Sequence, residues 1–328
     1  MRIKDFIIRA FKRSYRFIVH PEFNNPECCI DRTISNKIIY DLLKSGKPCM
    51  ISRFGTTEIN CINNYLCVSS KRSFLLKCLD YIRDKTHTPW WNVEHFHTMH
   101  IYSGIFPETE DTAVNFSKRY IEDIPEIDVL GCHQYYEKFM PLKDSVIRLH
   151  LECLYPFFVD NPWTMALTGK NVLVIHPFCH TIQEQYTKRY NLFDNKNVLP
   201  DFNLITMAAV QTVAGEPSEF NSWFEALAYM EDKIKNIDFD VAIIGCGAYG
   251  LPLAAFIKRL GKQAIHLAGG TQLLFGIKGA RWDNPHYGDE YGIKELFPPY
   301  YCSLYNDYWT KAKERPKNSD LVENSCYW

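Results

Sequence analysis

The residues best suited to chemistry follow a short apolar run at 238–244. Gly245-Cys-Gly247-Ala-Tyr249-Gly250 matches the pattern G-x-G-x-x-G, and residues 251–260 continue with a helical pattern. Glycines at these positions allow a tight turn and let a diphosphate approach the start of a helix, where free N–H groups and the helix dipole favour anions. The pattern therefore predicts a diphosphate site that includes Gly245, Gly247, Tyr249 and Gly250.

Two other interpretations of this turn remain open. A nicotinamide site requires an acidic residue about 20 positions further on to hold the ribose, and this chain has His266 there. Alternatively, the glycines serve only the close packing of a helix against a strand.

A second glycine-rich segment follows directly and carries two cations. Its candidate substrate-binding residues are Gly269, Gly270, Gln272, Lys278 and Trp282. Lys278 and the candidate catalytic residue Arg281 could neutralise the charge that a leaving diphosphate gains, or they are solvated surface residues. Trp282, like Trp90 and Trp91, could stack on a sugar or base, or belong to the core.

A third segment, Arg53-Phe-Gly55-Thr56-Thr-Glu58, follows the apolar run 48–52. An acid at this position, near the start of a helix, is a candidate general base or a ligand for a divalent cation such as Mg²⁺ or Mn²⁺. Compensation of the helix dipole is the simpler alternative for Glu58. His176, after the run 171–175, is the second candidate base, and Arg53 and Gly55 are candidate substrate-binding residues.

Two further patterns carry less weight. His95-x-His97-x-x-His100, with Glu94 and His87 nearby, could bind zinc, but no cysteine stands at ligand spacing, which favours metal-free histidines. Cys179 lies between His176 and His180, although no local motif marks it as a nucleophile.

Short apolar runs alternate with helical patterns, which predicts an α/β fold: a Rossmann-like parallel sheet with helices on both faces. The predicted strands are 48–52, 127–130, 171–175, 203–206, 238–244 and 263–267, and a helix is predicted over 220–234. We expect one large domain over 23–328, with a sub-boundary near 160–170 and a Rossmann-like second half at 170–298. The aromatic tail after Pro298 should pack back on the body. Because ligands bind outside the carboxyl ends of parallel strands, the segments after 52, 175, 244 and 267 should meet.

The spacing of apolar and basic residues predicts a basic amphipathic helix over the first 22 residues. Residues 1–20 carry six Lys or Arg against the single acid Asp5. The apolar arc of this helix consists of Ile3, Phe6, Ile7, Ala10, Phe11, Phe17 and Ile18. Two interpretations are equally favoured: a helix lying on an anionic membrane surface, and a helix packed on the core with solvated arginines.

Composition excludes some classes of protein. The chain has 328 residues, with 37 Lys and Arg against 38 Asp and Glu, so it has no overall positive field and a nucleic-acid partner is not expected. No apolar run is long enough to span a bilayer. The 12 cysteines form no C-x-x-C pair and read as reduced, buried thiols, which indicates the cytoplasm.

The block at 51–59 resembles the strand-end block of bacterial glycosyltransferases of the GT-D fold type, and the turn at 242–250 with the strand at 261–265 resembles their second nucleotide-proximal block. The runs at 104–107, 127–131, 176–178, 270–279 and 326–328 are similar to proteins of bacterial surface-polysaccharide loci that are assigned to this type. That family carries Asp-x-Glu in the first block. Here Thr56 replaces the first acid and Glu58 matches the second.

The resemblance implies a cytoplasmic glycosyltransferase, peripheral on the inner membrane, that transfers a sugar from a nucleotide-diphosphate donor to a glycan or lipid-linked glycan. It implies that Glu58 engages the donor, together with Mn²⁺ or Mg²⁺ if a metal is used. Because Thr56 replaces the first acid, the chain could work without a metal, and Lys278 or Arg281 could then stabilise the charge of the diphosphate. Two alternatives are kept: an NAD- or S-adenosylmethionine-dependent enzyme on the same fold, and a catalytically inactive sugar-nucleotide-binding assembly protein.

Overall fold

The computed structural model describes residues 3–287 and 300–328, and their centre is a seven-stranded, all-parallel sheet. The strands are β1 (Cys49–Ser52), β2 (Val129–Cys132), β3 (Ile147–His150), β4 (Asn171–His176), β5 (Asn203–Ala208), β6 (Val241–Ile244) and β7 (Gln263–His266). Their order is β3-β2-β1-β7-β6-β4-β5. The predicted α/β class is confirmed. Arg2 and the predicted boundary at 298 lie outside the described residues.

The helices are α1 (Ile3–Val19), α2 (Arg32–Lys44), α3 (Thr56–Ser69), α4 (Phe74–Ile82), α5 (Val93–Ser103), α6 (Glu110–Asp123), α7 (Cys179–Thr187), α8 (Arg189–Leu192), α9 (Trp223–Lys235), α10 (Gly250–Arg259), α11 (Gly270–Leu274) and α12 (Ala280–Asp283). A short parallel pair, β8 (Ile277–Lys278) and β9 (Thr310–Lys311), lies apart from the main sheet. The helix predicted over 220–234 corresponds to α9, whose N-cap is Ser222. Strand β3 was not predicted, because it is a short edge strand that exposes Ile147.

Two apolar cores lie on opposite faces of the sheet. Along β4, Val172 and Val174 belong to one core, while Leu173 and Ile175 belong to the other. Helices α2, α7 and α11 cover the first face, and α3, α5, α6, α9 and α10 cover the second. This alternation gives helices on both faces, as predicted, and explains why the strands read as continuous apolar runs.

The connections leave four neighbouring strands toward alternating faces. In the order β1, β7, β6, β4, the helices that follow are α3, α11, α10 and α7, which lie on the second, first, second and first face. Adjacent chain segments therefore diverge where the strands end, and a crevice opens between them.

The segment 300–328 packs back on the body, as expected from its aromatic content. Val322, Cys326 and Trp328 are buried in the first core, and the Trp328 indole Nε1 donates a hydrogen bond to the Glu314 carbonyl over 2.9 Å. This packing brings the last residues of the chain to the carboxyl ends of the strands.

Helix α1 packs on the body through its basic residues. The Asp84 carboxylate, 1% exposed, accepts hydrogen bonds from the Arg16 guanidinium (Nε to Oδ2, 2.9 Å) and lies 2.5 Å from the Lys12 ammonium. The apolar arc instead faces outward, with exposed side chains at Phe6, Ile7, Phe11, Phe17 and Ile18. The interpretation in which the apolar face packs on the core is therefore wrong. In the part of the chain that the structure describes, no helix has the length and apolarity to cross a membrane.

Asp84→Asn should release α1 from the body, because it removes the negative partner of two cations. The backbone of residue 84 has φ 59°, a conformation that Asn adopts readily, so the loop itself should persist. Trypsin cleavage within residues 9–16 should become at least about tenfold faster, corresponding to about 1.4 kcal/mol of lost local stability.

Asp80→Asn is the matched control, since Asp80 pairs with Arg72 rather than with α1. Equal cleavage rates in Asp84→Asn and the unmodified protein would contradict this account of how α1 is held.

Candidate active site at the carboxyl ends of the strands

A cavity of about 190 Å³ opens at the carboxyl ends of β1, β7, β6 and β4. The four segments that the sequence predicts to meet all line it, and so does the segment after β5. Glu58, Gly247 and Arg281 share this cavity although they are far apart in the chain. The predicted lining residues found here are Arg53, Gly55, Glu58, His176, Gly245, Gly247, Tyr249, Gly269, Gln272 and Arg281.

Glu58 is the carboxylate of this cavity that lacks a protein partner. It is the third residue of α3 and 7% exposed. Its side chain folds back over the helix start, so that a Cβ built on Gly55 would lie 1.7 Å from Oε2. Within residues 3–287 and 300–328, no group donates a hydrogen bond to it. Glu58 can therefore accept a proton or bind a cation from the cavity side.

His176 is a neutral hydrogen-bond donor. Its Nδ1 accepts a hydrogen bond from the Phe178 backbone N–H over 3.0 Å, which places the ring hydrogen on Nε2. Burial lowers the pKa of His176 to about 3, so the ring stays uncharged near neutral pH. Of the two bases that the sequence left open, Glu58 can take a proton, whereas His176 in this tautomer donates a hydrogen bond through its Nε2–H.

Two arginines supply positive charge. Arg281 donates a hydrogen bond to the Glu323 carboxylate, and its guanidinium carbon lies 4.9 Å from the Tyr327 ring centre. The Nη2 of Arg53 lies 3.1 Å from Nε2 of His133, which is also within 2.9 Å of the Gln134 amide nitrogen. Both guanidinium groups are thus fixed by neighbours while they line the cavity.

The glycine turn serves both packing and the cavity. A Cβ on Gly250 would lie 2.2 Å from His266 Nε2, and one on Gly245 would lie 2.6 Å from His176 Cδ2. These two glycines allow close approach of neighbouring segments, as the packing interpretation proposes. Gly247 differs, because its φ is +55° and no atom lies within 4 Å of a Cβ built there. Its backbone borders open space.

Tyr249 belongs to the same turn. Its ring stacks on Trp223 with ring centres 4.9 Å apart, and its hydroxyl is buried without a hydrogen-bond partner among the described residues. Tyr120 donates a hydrogen bond to the Ala248 carbonyl over 2.6 Å. The turn is therefore anchored to the second core by two aromatic residues.

Several predicted residues lie elsewhere. A Cβ on Gly270 would meet the Tyr155 ring at 2.2 Å, so Gly270 serves packing. A second cavity adjoins this one in the described chain, and Lys278 lines neither of them. The Lys278 ammonium lies instead 5.0 Å from the Tyr305 ring centre. Trp282 lines the neighbouring cavity. Trp90 lies beneath α1, 6.0 Å from the Arg9 guanidinium.

Some residues that line the cavity are not predicted from the sequence. Thr212 follows β5 and donates a hydrogen bond to the Gly104 carbonyl over 2.6 Å. Glu323 and Tyr327 come from the carboxyl-terminal segment, which the sequence predicted only to pack back. His266 also lines the cavity. Its place near the end of the predicted strand 263–267 was a signal that could have identified it, because ligands bind where such strands end.

The candidate zinc and thiol motifs have other contacts. His97 lies near Glu108, and His100 contacts the Ile105 carbonyl; the described residues contain no group of three ligands that could hold a metal ion. Burial raises the pKa of Cys179 to about 11, and its thiol lies 3.1 Å from the His176 carbonyl. All twelve cysteines are free thiols.

No family model, curated protein or solved structure matches this chain. The resemblance to GT-D-type transferases therefore stays a prediction.

Buried histidines should make the protein less stable in weak acid. Burial lowers the pKa of His176, His266 and His87 to about 3 and of His150 to about 4, from 6.5. The unfolded chain therefore binds more protons below pH 6.5, and the stability present above that pH is lost as the pH falls. Glu152 opposes this by one proton between its ordinary pKa of 4.5 and about 7. Urea unfolding should give a free energy several kcal/mol lower at pH 5 than at pH 7.5.

His176→Gln should reduce this loss by about 2 kcal/mol, the linkage energy of one proton over roughly 1.5 pH units. His97→Gln is the control, because that side chain is 66% exposed. An unchanged pH dependence in His176→Gln would show that His176 is not buried and neutral.

Proposed function

We propose that the protein is a glycosyltransferase that uses a nucleotide-diphosphate sugar as donor. The observation that carries the proposal is the convergence, in one cavity, of two arginines, a neutral imidazole donor and an open glycine turn beside an unpartnered carboxylate. Open parallel sheets bind their ligands in such a crevice.

The diphosphate would bind between Arg53, Arg281 and the turn at Gly247. Guanidinium groups donate hydrogen bonds to phosphate oxygens in a fixed geometry. His176 adds an N–H donor, and Gly247 allows the backbone close to the ligand. Glu323 already neutralises Arg281, so an incoming diphosphate would replace one anion by another at this guanidinium.

Sugar transfer needs an acceptor for one proton and a stabiliser for the leaving group. The oxygen of the acceptor hydroxyl bonds to the anomeric carbon of the donor, while the bond from that carbon to the β-phosphate oxygen breaks. Glu58 takes the hydroxyl proton, and the diphosphate leaves with the electron pair. Arg281 and Arg53 stabilise the charge that develops on it.

Binding of a divalent cation is the alternative role for Glu58, which would then hold the metal instead of taking the proton. Mg²⁺ in proteins is held by one or two carboxylates together with substrate phosphates, and the described carboxylates that line the cavity are Glu58 and Glu323. Mg²⁺ or Mn²⁺ would supply neutralisation of the diphosphate. Thr56, in place of a second acid, leaves the arginines as the alternative source of that charge.

The alternative functions differ from sugar transfer in the ligand that the cavity would bind or in whether that ligand reacts. For a nicotinamide enzyme, β7 would have to end near an acid, and it ends at His266. S-adenosylmethionine chemistry would not require the two arginines. An inactive assembly protein would bind the donor without turnover.

Titration calorimetry with UDP, GDP, CDP, NAD⁺ and S-adenosylhomocysteine tests the proposal. One nucleoside diphosphate should bind, and Arg281→Gln should weaken it at least about tenfold, as expected for loss of a charged hydrogen bond worth about 1.5–3 kcal/mol. Glu58→Gln should retain binding of that diphosphate and lose transfer to water or to a sugar.

Lys278→Gln is the matched control, because Lys278 lies outside the cavity. This variant should bind the nucleoside diphosphate with unchanged affinity. Binding of NAD⁺ or S-adenosylhomocysteine alone would favour the rival enzymes. Binding without any turnover of donor sugars would favour the assembly protein.

We further propose that α1 holds the protein to the cytoplasmic face of an anionic membrane. Helix α4 packs against α1 and exposes Phe74, Leu75, Leu76 and Leu79. Together with the outward arc of α1, these side chains give two neighbouring helices with exposed apolar groups. Such a surface is unusual on a soluble monomer.

The charge around this surface suits anionic lipids. Residues 3–19 carry five Lys or Arg and one acid, and residues 70–85 carry five and two, so the net charge is +4 and +3. Basic groups beside an apolar helix face attract the phosphates while the apolar groups insert. This location would suit a transferase that acts on a lipid-linked glycan in surface-polysaccharide biosynthesis.

Flotation with vesicles of phosphatidylethanolamine and phosphatidylglycerol tests the membrane proposal. The intact protein should float, and removal of residues 1–20 or the pair Phe11→Ser and Leu75→Ser should reduce flotation at least about fivefold, since apolar insertion is lost. Tyr190→Ser and Tyr229→Ser, at exposed positions on α8 and α9, form the control. Equal flotation with and without residues 1–20 would remove the membrane proposal.

A further inference from the structure

A second cavity of about 840 Å³ adjoins the first. Arg53, Gly269, Arg281 and Tyr327 line both cavities. A ligand in the second cavity can therefore meet a diphosphate-bound group in the first at these shared residues. Its volume falls in the range of small-molecule sites, about 300–1,000 Å³.

The second cavity is built differently from the first. Aromatic side chains line it at Tyr155, Trp282, Tyr287 and Tyr327, and the polar groups between them include the His133 ring and the Glu152 carboxylate. Aromatic rings offer flat apolar surface, and the groups between them hydrogen-bond. A sugar has the matching chemistry, because its ring carries apolar C–H faces and a rim of hydroxyl groups.

Glu152 is a buried carboxylate of the second cavity that can orient a bound ligand. It follows the edge strand β3 and is 4% exposed. The Tyr301 hydroxyl donates a hydrogen bond to its Oε2. Its Oε1 has no partner among the described residues. A buried carboxylate oxygen that lines a cavity without a protein donor can accept a hydrogen bond from a ligand hydroxyl.

We propose that the second cavity binds the acceptor sugar, with its ring against Tyr287 and Trp282 and a hydroxyl donating a hydrogen bond to Oε1 of Glu152. The inference rests on the proposed sugar transfer, since it places the acceptor beside the donor across Arg53 and Arg281. Glu152 is a binding residue here, distinct from Glu58, which takes the proton of the reacting hydroxyl.

Burial raises the pKa of Glu152 to about 7. Near neutral pH the carboxyl can therefore accept a hydrogen bond when ionised or donate one when protonated. Both forms pair with a sugar hydroxyl, which is both donor and acceptor.

Saturation-transfer NMR with the methyl glycosides of glucose, galactose, mannose and N-acetylglucosamine tests the proposal on the full chain, with and without UDP. At least one glycoside should receive saturation at its ring C–H protons. Tyr287→Ser and Glu152→Leu should each reduce that signal at least about fivefold, because Ser removes the ring and Leu keeps most of the side-chain volume but cannot hydrogen-bond. Tyr308→Ser should leave it unchanged, since Tyr308 is 49% exposed and lines neither cavity.

The affinity of both variants for nucleoside diphosphate separates the two proposals. If it is unchanged while glycoside binding falls, both proposals stand and the variants are folded. If diphosphate binds but no glycoside does, or if the glycoside signal survives in both variants, the acceptor site is overturned and the donor site stands. If neither the unmodified protein nor the variants bind a diphosphate while a glycoside binds at Tyr287, the proposed donor chemistry fails instead.

Discussion

The close approach of three chain segments at Gly245 is the constraint on which the rest of the site depends. The segments after β4, β6 and β7 come together there, so that a Cβ on Gly245 would lie 2.6–2.8 Å from His176, Ala268 and Thr271. Because the helices after these strands go to alternate faces of the sheet, the segments separate immediately beyond that point. The cavity is the space this separation leaves, and its walls include the first residues after these strands and the carboxyl-terminal segment.

The two arginines of this cavity are held by neighbouring side chains, and its carboxylate Glu58 is held by none that the structure describes. Arg281 is held by Glu323, and Arg53 lies against His133, whereas Glu58 has no partner in the described chain. Two fixed cations facing one available carboxylate suit a reaction in which an anion leaves and a proton is taken up. The second cavity meets the first at the same two arginines, which therefore lie at the boundary between the proposed donor and acceptor.

Much of this arrangement could be predicted from the sequence because parallel strands make a strong local signal. The apolar runs gave six of the seven main strands, and the rule that ligands bind beyond the carboxyl ends placed Glu58, His176 and Gly247 together. Adjacency in the chain was a poorer guide. Lys278 is close to Arg281 in sequence, but it lies on β8 and points to Tyr305 instead of the cavity.

The rest depended on tertiary contacts that carry no local pattern. Glu152 follows an edge strand with a partly exposed sequence, so neither the strand nor the acid stood out. Periodicity showed that α1 has an apolar and a basic side, but it does not reveal that contacts with the body, above all with the buried Asp84, hold the basic side inward. The pairing of Glu323 with Arg281 joins residues 42 positions apart, and no spacing rule links them.

A crystal structure of the protein with UDP or GDP bound would show whether the cavity is a diphosphate site. The β-phosphate should lie in the cavity, within hydrogen-bond distance of the Arg281 guanidinium and of Nε2 of His176, with Glu323 displaced from Arg281. A diphosphate bound elsewhere on the molecule, with the Arg281 and Glu323 pair intact, would contradict it.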